Sequence, residues 1–386
     1  MVRLKGDFMD KEQLERISYV LETCEERLTD KHVLAGFDGY IDKLVRLKKN
    51  QEEPVCYFET VKEFANHIGA GSEQSSDIEV TCIERKPGGN GTLFSEAISR
   101  KNISCVCIGA MGYPSLEPEY QKLNKRVKLV SLTKTAESYA MEFDDGKLMF
   151  GDISPFYELN WELIRTRISG EELYGWFEES EVLTFANWSG LPHSNNILSG
   201  ILEDISPRLS NKKRYLFFDL ADPSAKSVSQ FQDFFRIVKA LQNYYHIVLG
   251  LNKKECTVVY EHYFREKETS FSVSMIERMK EKMPVDSLIV HVLDRAYVGE
   301  KGKQITEVKS QQVEHPKVVT GGGDNFNAGY CSGILLGLAS CDCACLGNLS
   351  SMLFVMNGVS PSLEEIKKYI DNEILKGSAN NGTKYI

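Results

Sequence analysis

Residues 320–329 read TGGGDNFNAG. Gly321, Gly322 and Gly323 stand directly before one carboxylate, Asp324, and a long apolar run follows. Glycine permits positive φ and lets the backbone come close to a ligand. A helix that opens here carries unpaired N–H groups and a partial positive charge. The two features together build an anion cradle with a carboxylate in the first turn. An anion and a carboxylate side by side would repel if both merely bound. The pairing becomes useful when Asp324 takes a proton from a nucleophile while the amides hold a phosphate, as phosphoryl transfer requires. The plain alternative is a helix N-cap, where Asp is favoured and Gly is common. No Lys-Ser/Thr follows the glycines, so this is not a Walker A loop. No GxGxxG follows the first strand, which argues against a dinucleotide-dependent oxidoreductase.

Three other stretches carry residues of the same kind. Asn252 and Glu255 lie three residues apart at the end of an apolar run, on one face of the next helical turn. They can hold a hydrated Mg²⁺, or they can cap the helix reciprocally. Asp38 and Asp42 follow the first strand, where carboxylates can accept hydrogen bonds from a polyol or sit in surface turns. Pro87-Gly88-Gly89-Asn90-Gly91 precedes a helix expected from near Thr92. Gly88 and Gly89 allow a small ligand to approach, and Asn90 offers both a donor and an acceptor. A plain turn uses the same residues.

Strands alternating with helices must position these groups. Strands are expected at His32–Phe37, Ser104–Met111, Glu181–Asn187, Tyr215–Leu220, His246–Leu251 and Ser287–Leu293. Helices are expected at Leu93–Lys101, Asn195–Ile205, Gln230–Tyr244 and Lys254–Phe264. This rhythm predicts an α/β fold with a mostly parallel sheet, whose ligands lie at the carboxyl ends of the strands. Residues 137–151 alternate around Asp144-Asp145-Gly146, a hairpin signal. A small β appendage is expected from about 40–60 and 132–152.

The chain has 386 residues, of which 42% are hydrophobic and 26% charged, enough for one large domain at 32–386 and a helical extension at 1–31. Its net charge is −9 and its Lys and Arg are scattered, so no nucleic-acid surface is expected. The ten Cys read as reduced and mostly buried. Cys341, Cys343 and Cys345 match no zinc spacing. The first 28 residues form an amphipathic pattern, with Val20, Leu21, Cys24 and Leu28 on one face. They hold no apolar signal core, so a cytoplasmic location is expected. From Asn325 to Leu363 the sole charged residue is Asp342. That length could span a bilayer. Its Gly, Ser, Asn and Cys content favours two buried helices split near Ser340–Asp342, with no membrane contact. The tail from Lys376 is expected to be loosely ordered.

An acid after the first strand, a glycine pair before a helix, Asn-x-x-Glu, and Gly-Gly-Gly-Asp opening a C-terminal helix follow in this order. That order resembles the ribokinase-like (PfkB) carbohydrate kinase family over roughly residues 32–370. The resemblance implies a three-layer αβα sandwich with a mostly parallel central sheet and a small β lid. It makes Asp324 the general base and the N–H groups of Gly321, Gly322 and Gly323 its anion hole. Asn252 and Glu255 look like the magnesium and phosphate motif, acting through water. Gly88 and Gly89 match the sugar-side pair. Asp42, followed by Lys43-Leu44, looks most like the sugar-hydroxyl acid, and Asp38 is a close rival.

ATP as donor, Mg²⁺, a sugar or polyol acceptor and dimer contacts through the lid are further implications. The nucleotide would lie near Asn252, Asn348 and the 321–324 loop. Three positions depart from the family. Thr92-Leu93-Phe94 lacks the usual Asn, leaving Asn90 the nearest amide. Val318-Val319 replaces an acidic residue. Asp294-Arg295-Ala296-Tyr297 replaces a glycine-containing loop, with Arg295 a substitute phosphate contact. A regulatory ligand-binding protein on the same fold and a nucleoside kinase are the alternative readings.

Overall fold

The computed structural model describes residues 4–5, 9–50, 54–75, 77–267, 270–318 and 320–382. Val319, and the parts of the expected extension, lid and tail at 1–3, 6–8, 51–53 and 383–386, lie outside the described residues. The strands are β1 (Leu4–Lys5), β2 (His32–Gly36), β3 (Tyr40–Leu47), β4 (Val80–Gly88), β5 (Ser104–Gly109), β6 (Val127–Ser131), β7 (Ala136–Phe143) and β8 (Gly146–Asp152). They continue with β9 (Val182–Phe185), β10 (Tyr215–Asp219), β11 (His246–Asn252), β12 (Ser287–Val292), β13 (Arg295–Glu300), β14 (Thr306–Lys309) and β15 (Gln312–Val313).

A nine-stranded sheet runs β14-β13-β12-β11-β10-β9-β2-β5-β6. Every pair from β12 to β6 is parallel, and β13 and β14 add an antiparallel edge. Successive strand residues point to opposite faces, and here both faces are covered. Leu216, Phe218, Ile247, Leu249, Leu288 and Val290 enter one core. Phe217, Val248 and Ile289 enter the other. Those apolar runs are why all six expected strands form, with ends shifted by a few residues. The result is the expected αβα sandwich.

Three local expectations are corrected. The helix after Gly88-Gly89 is Asn90–Ser99, so it opens at Asn90 and not near Thr92. The expected helix at 195–205 is an α-helix at Ser194–Gly200 that continues as a π-helix at Ile201–Ile205. Residues 295–297 are not a loop. They begin β13, because Ala296 and Val298 are buried and alternate with Arg295 and Tyr297.

A second sheet, β4-β3-β7-β8, forms the lid. The β7–β8 hairpin turns at Asp144-Asp145 as the alternation predicts. Strand β4 is an addition. Its VTCIERKPG is exposed over most of both faces, so it carries little alternation to read. Between β3 and β4 the expected strand character of 48–60 shrinks, among the described residues, to one bridge, Lys48 to Tyr57, and helix Val61–Ala70 follows. Leu47, Phe58 and Phe64 give the lid its own small core.

The N-terminal helices Lys11–Leu21 and Cys24–Leu28 lie on the main body. Leu14, Ile17, Leu21 and Leu28 share a core with Phe326, Leu346 and Ile366. Strand β1 pairs with β15. The apolar run forms two helices, Gly322–Leu335 and Ser340–Asn357. They pack closely because Gly329 lies against the backbone of Leu346, where a Cβ would fall 2.6 Å from the carbonyl oxygen. Asp342 is held by Gln13 Nε2 at 2.9 Å and by Arg16 at 3.2 Å, which explains the single charge in that run. Among the described residues no helix is long and apolar enough to cross a membrane.

Candidate active site

The order of strands reverses between β2 and β9, and the crevice at such a switch point receives ligands. Asp38 follows β2 and Asn187 follows β9. The Asn187 side chain donates to Asp38 Oδ2 at 3.0 Å and closes the switch. Asp38 also accepts the N–H groups of Asn90 and Gly91, each at 2.8 Å, at the start of helix Asn90–Ser99. It is wholly buried. Burial pushes its carboxyl up to about 6 against the pull of those three donors.

A cleft of about 490 Å³ opens above the sheet, under the lid. Asp42, Ser138, Met149 and Ile153 line it from the lid side, and Asn90, Asp219, Glu255 and Asp324 from below. Asp42 therefore stands on the cleft wall, whereas Asp38 stands behind it. Gly88 ends β4 against Asp42: a Cβ there would fall 2.5 Å from Asp42 Cγ. Gly89 has φ +95° and touches the Asp38 carboxylate side. The glycine pair is thus the joint between lid and helix, packed on both acids.

Gly321 caps helix Gly322–Leu335 with φ +96°, and no side chain caps that end. The first amides of the helix are therefore left without a side-chain cap. A Cβ on Gly323 would meet nothing nearer than 3.9 Å, so the space beside this turn is open. Asp324 is buried in the first turn and accepts Asn90 Nδ2 at 3.1 Å. Burial, then the charges of Asp219 and Asp38, push its carboxyl well above the usual range. Asn90, expected as a sugar contact, thus also fixes the Asp324 carboxylate.

Asn252 and Glu255 form the reciprocal capping box. Asn252 Oδ1 accepts the Glu255 N–H at 2.9 Å, and the Glu255 carboxylate accepts Asn252 N and Nδ2 at 2.9 and 2.6 Å. The capping reading and the cleft reading hold together, because both residues also line the cleft. Burial and then Asp219 push the Glu255 carboxyl up to about 8. The Lys254 charge offsets this only in part, so the buried carboxylate has the chemistry that a hydrated divalent cation would complement.

A second cavity, about 1060 Å³, lies over the C-terminal half and meets the first at Asn252, His291 and Gly323. Arg295 and Asn348 stand on its wall. The Arg295 guanidinium is held by Asp294 and Glu307, each at 2.6 Å. Asn348 donates to the Val308 carbonyl at 3.2 Å. The expected site residues come together around these two cavities, with Asp38 and Gly88 in the supporting layer.

Sequence reasoning missed Asp219, Asn187, Asn327 and His291. Asp219 Oδ1 accepts Ala221 N at 2.9 Å and its Oδ2 accepts Asn327 Nδ2 at 2.7 Å. An acid at the end of an apolar strand is the signal that could have found it. Ala221 and Asn187, just past β10 and β9, adopt φ +54° and +55°. Non-glycine residues at positive φ are uncommon and cluster at such sites. Because Asp219 raises the proton affinity of Asp324, Asp219→Asn is expected to move the acid limb of the kcat/KM–pH profile to lower pH. An unmoved limb in a folded variant would refute that coupling.

The prokaryotic ketohexokinase family model matches residues 9–373. The chain belongs to the prokaryotic ketohexokinase family. A ketohexokinase from Haloferax volcanii is 24% identical over 359 residues, covering 90% of this chain and 93% of that one. The ribokinase of Thermotoga maritima superposes with a TM-score of 0.60 at 17% identity, covering 88% of this chain and 98% of the other. Arabidopsis thaliana ribokinase, solved with ribose and ATP, gives 0.60 at 12% identity, covering 88% and 98%. The fold is that of the ribokinases, and the chain is a carbohydrate kinase that transfers phosphate to a sugar.

Proposed function

We propose that the chain transfers the terminal phosphate of ATP to a hydroxyl of a ketohexose, with Asp324 as general base. The observation that carries this reading is the placement of Asp324. It lines the lid cleft beside the uncapped amides of Gly321–Gly323, and Gly323 is also where the second cavity meets that cleft. The sugar lies under the lid, where Asp42 accepts its hydroxyls. The ATP phosphates extend from the larger cavity toward the glycine turn, whose N–H groups hold the transferred group. Asp324 accepts the hydroxyl proton as the oxygen attacks in line. Asn252 and Glu255 would hold Mg²⁺ through water, and the bound ion supplies charge neutralisation on the phosphates. Arg295 and Asn348 shape the nucleotide wall, since protein partners already engage their polar groups. The ketohexose assignment rests on the family match and on the Haloferax relative. Cys105, Cys107, Cys256, Cys331, Cys343 and Cys345 are buried free thiols, which suits a reducing cytoplasm.

A coupled assay of ADP release across ketohexoses, aldoses, polyols and nucleosides tests the reading. The expected result is preference for a ketohexose. Preference for a nucleoside would replace the acceptor, and no release with any acceptor would refute phosphotransfer.

The same reading makes the lid a dimer contact. Val80, Ile83 and Phe150 are about half exposed on it, more apolar surface than a solvent-facing sheet usually offers. Sedimentation is expected to give a dimer that Ile83→Lys with Phe150→Lys converts to monomer. A wild-type monomer at micromolar concentration would overturn it.

A further inference from the structure

The two cavities share Asn252, His291 and Gly323. The Asn252 amide is occupied by Glu255 on both its oxygen and its nitrogen. Gly323 offers backbone alone. His291 differs from both. It pairs with Asn252 across β11 and β12, and its ring packs at a tilt of 32° against Phe326 with centroids 4.9 Å apart. Its Cε1 edge faces Gly323, 3.9 Å from where a Cβ on that residue would stand. Among the described residues neither ring nitrogen has a hydrogen-bond partner in the protein. A neutral imidazole always carries one N–H. A polar ring set at the joint of two cavities, with no protein partner for its donor, has that donor left for a ligand.

The ligand at this joint is defined by what lies on either side. Asp324 and the lid cleft take the acceptor sugar, and the larger cavity takes the nucleotide. The group between them is the one being transferred. We infer that His291 donates a hydrogen bond to the terminal phosphoryl group of ATP, a contact that ADP does not make. This rests on the phosphotransfer reading above. During transfer the bond from phosphorus to the ADP oxygen breaks and the bond to the sugar oxygen forms. The hydroxyl proton passes to Asp324. His291 stays neutral and keeps its proton throughout, contributing only the hydrogen bond.

The competing role is packing, in which the ring merely covers Phe326. His291→Leu keeps apolar bulk and removes the donor, and His291→Gln restores a donor. The measurement is calorimetric binding of ATP and of ADP with Mg²⁺ to wild type and both variants, alongside their melting temperatures and sugar-dependent ADP release. The Leu variant is expected to bind ATP about ten- to a hundredfold more weakly, the range for one hydrogen bond to a charged group. ADP binding is expected to hold, and Gln to recover most of the loss. Equal losses for ATP and ADP, or no loss for either, would overturn the assignment. Should the Leu variant fail to fold, His291→Met is read by the same criteria. Wild-type turnover with an unaffected Leu variant sinks His291 alone. Absence of ADP release by the wild type sinks the phosphotransfer reading, and this inference with it.

Discussion

Asp324→Asn is expected to lower turnover by about two to four orders of magnitude, the range for loss of a general base. The amide fills the same space and still meets Asn90, so the fold has no reason to change. It also removes a buried charge from the neighbourhood of Asp219 and Asp38, which already push the Asp324 carboxyl upward. The melting temperature is therefore expected to stay level or rise. Sugar and ATP should still bind, because neither is held by the proton acceptor alone. That combination, intact binding with little turnover, separates a base from a structural acid. Near-normal turnover would remove Asp324 from the mechanism, and a collapsed fold would assign it to stability.

Gly88→Ala is expected to raise the KM for sugar by about ten- to a hundredfold, the range for losing one hydrogen bond to a charged group. The added Cβ would fall 2.5 to 2.6 Å from all three carboxyl atoms of Asp42. Gly88 is fixed by its pairing with Tyr40 across β3 and β4, so the strand cannot slide away. Asp42 must swing out of its place on the cleft wall. The larger cavity does not include either residue, so the KM for ATP is expected to be unchanged. A rise in the ATP constant alone, or no change in either, would show that Asp42 does not touch the sugar.

Much of this was legible in the chain because the informative patterns are local. The apolar runs of β2, β10, β11 and β12 mark buried strands by themselves, since both faces of the sheet are covered. The turn 320–324 announces a helix end by its glycines and one acid. Strand β4 was illegible for the converse reason. It is exposed on most of both faces, so no burial pattern is written into it. Residues 294–297 read as a loop because the antiparallel return of β13 depends on a partner strand, not on turn composition.

The site itself divides in the same way. The residue types at 38, 42, 88–90, 252–255 and 321–324, and the strand ends they occupy, come from the sequence alone. Only the tertiary structure decided which of them meet. Asn90 reaches Asp324 across 234 positions and Asn187 reaches Asp38 across 149, through the reversal of strand order between β2 and β9. The same reversal buries Asp38 behind the cleft, leaves Asp42 on its wall and brings Asp219 near Asp324. Periodicity reports whether a residue faces a core, because that follows from its neighbours in the chain. It cannot report which carboxylates share a cavity, because that is set by how distant strand ends are ordered in space.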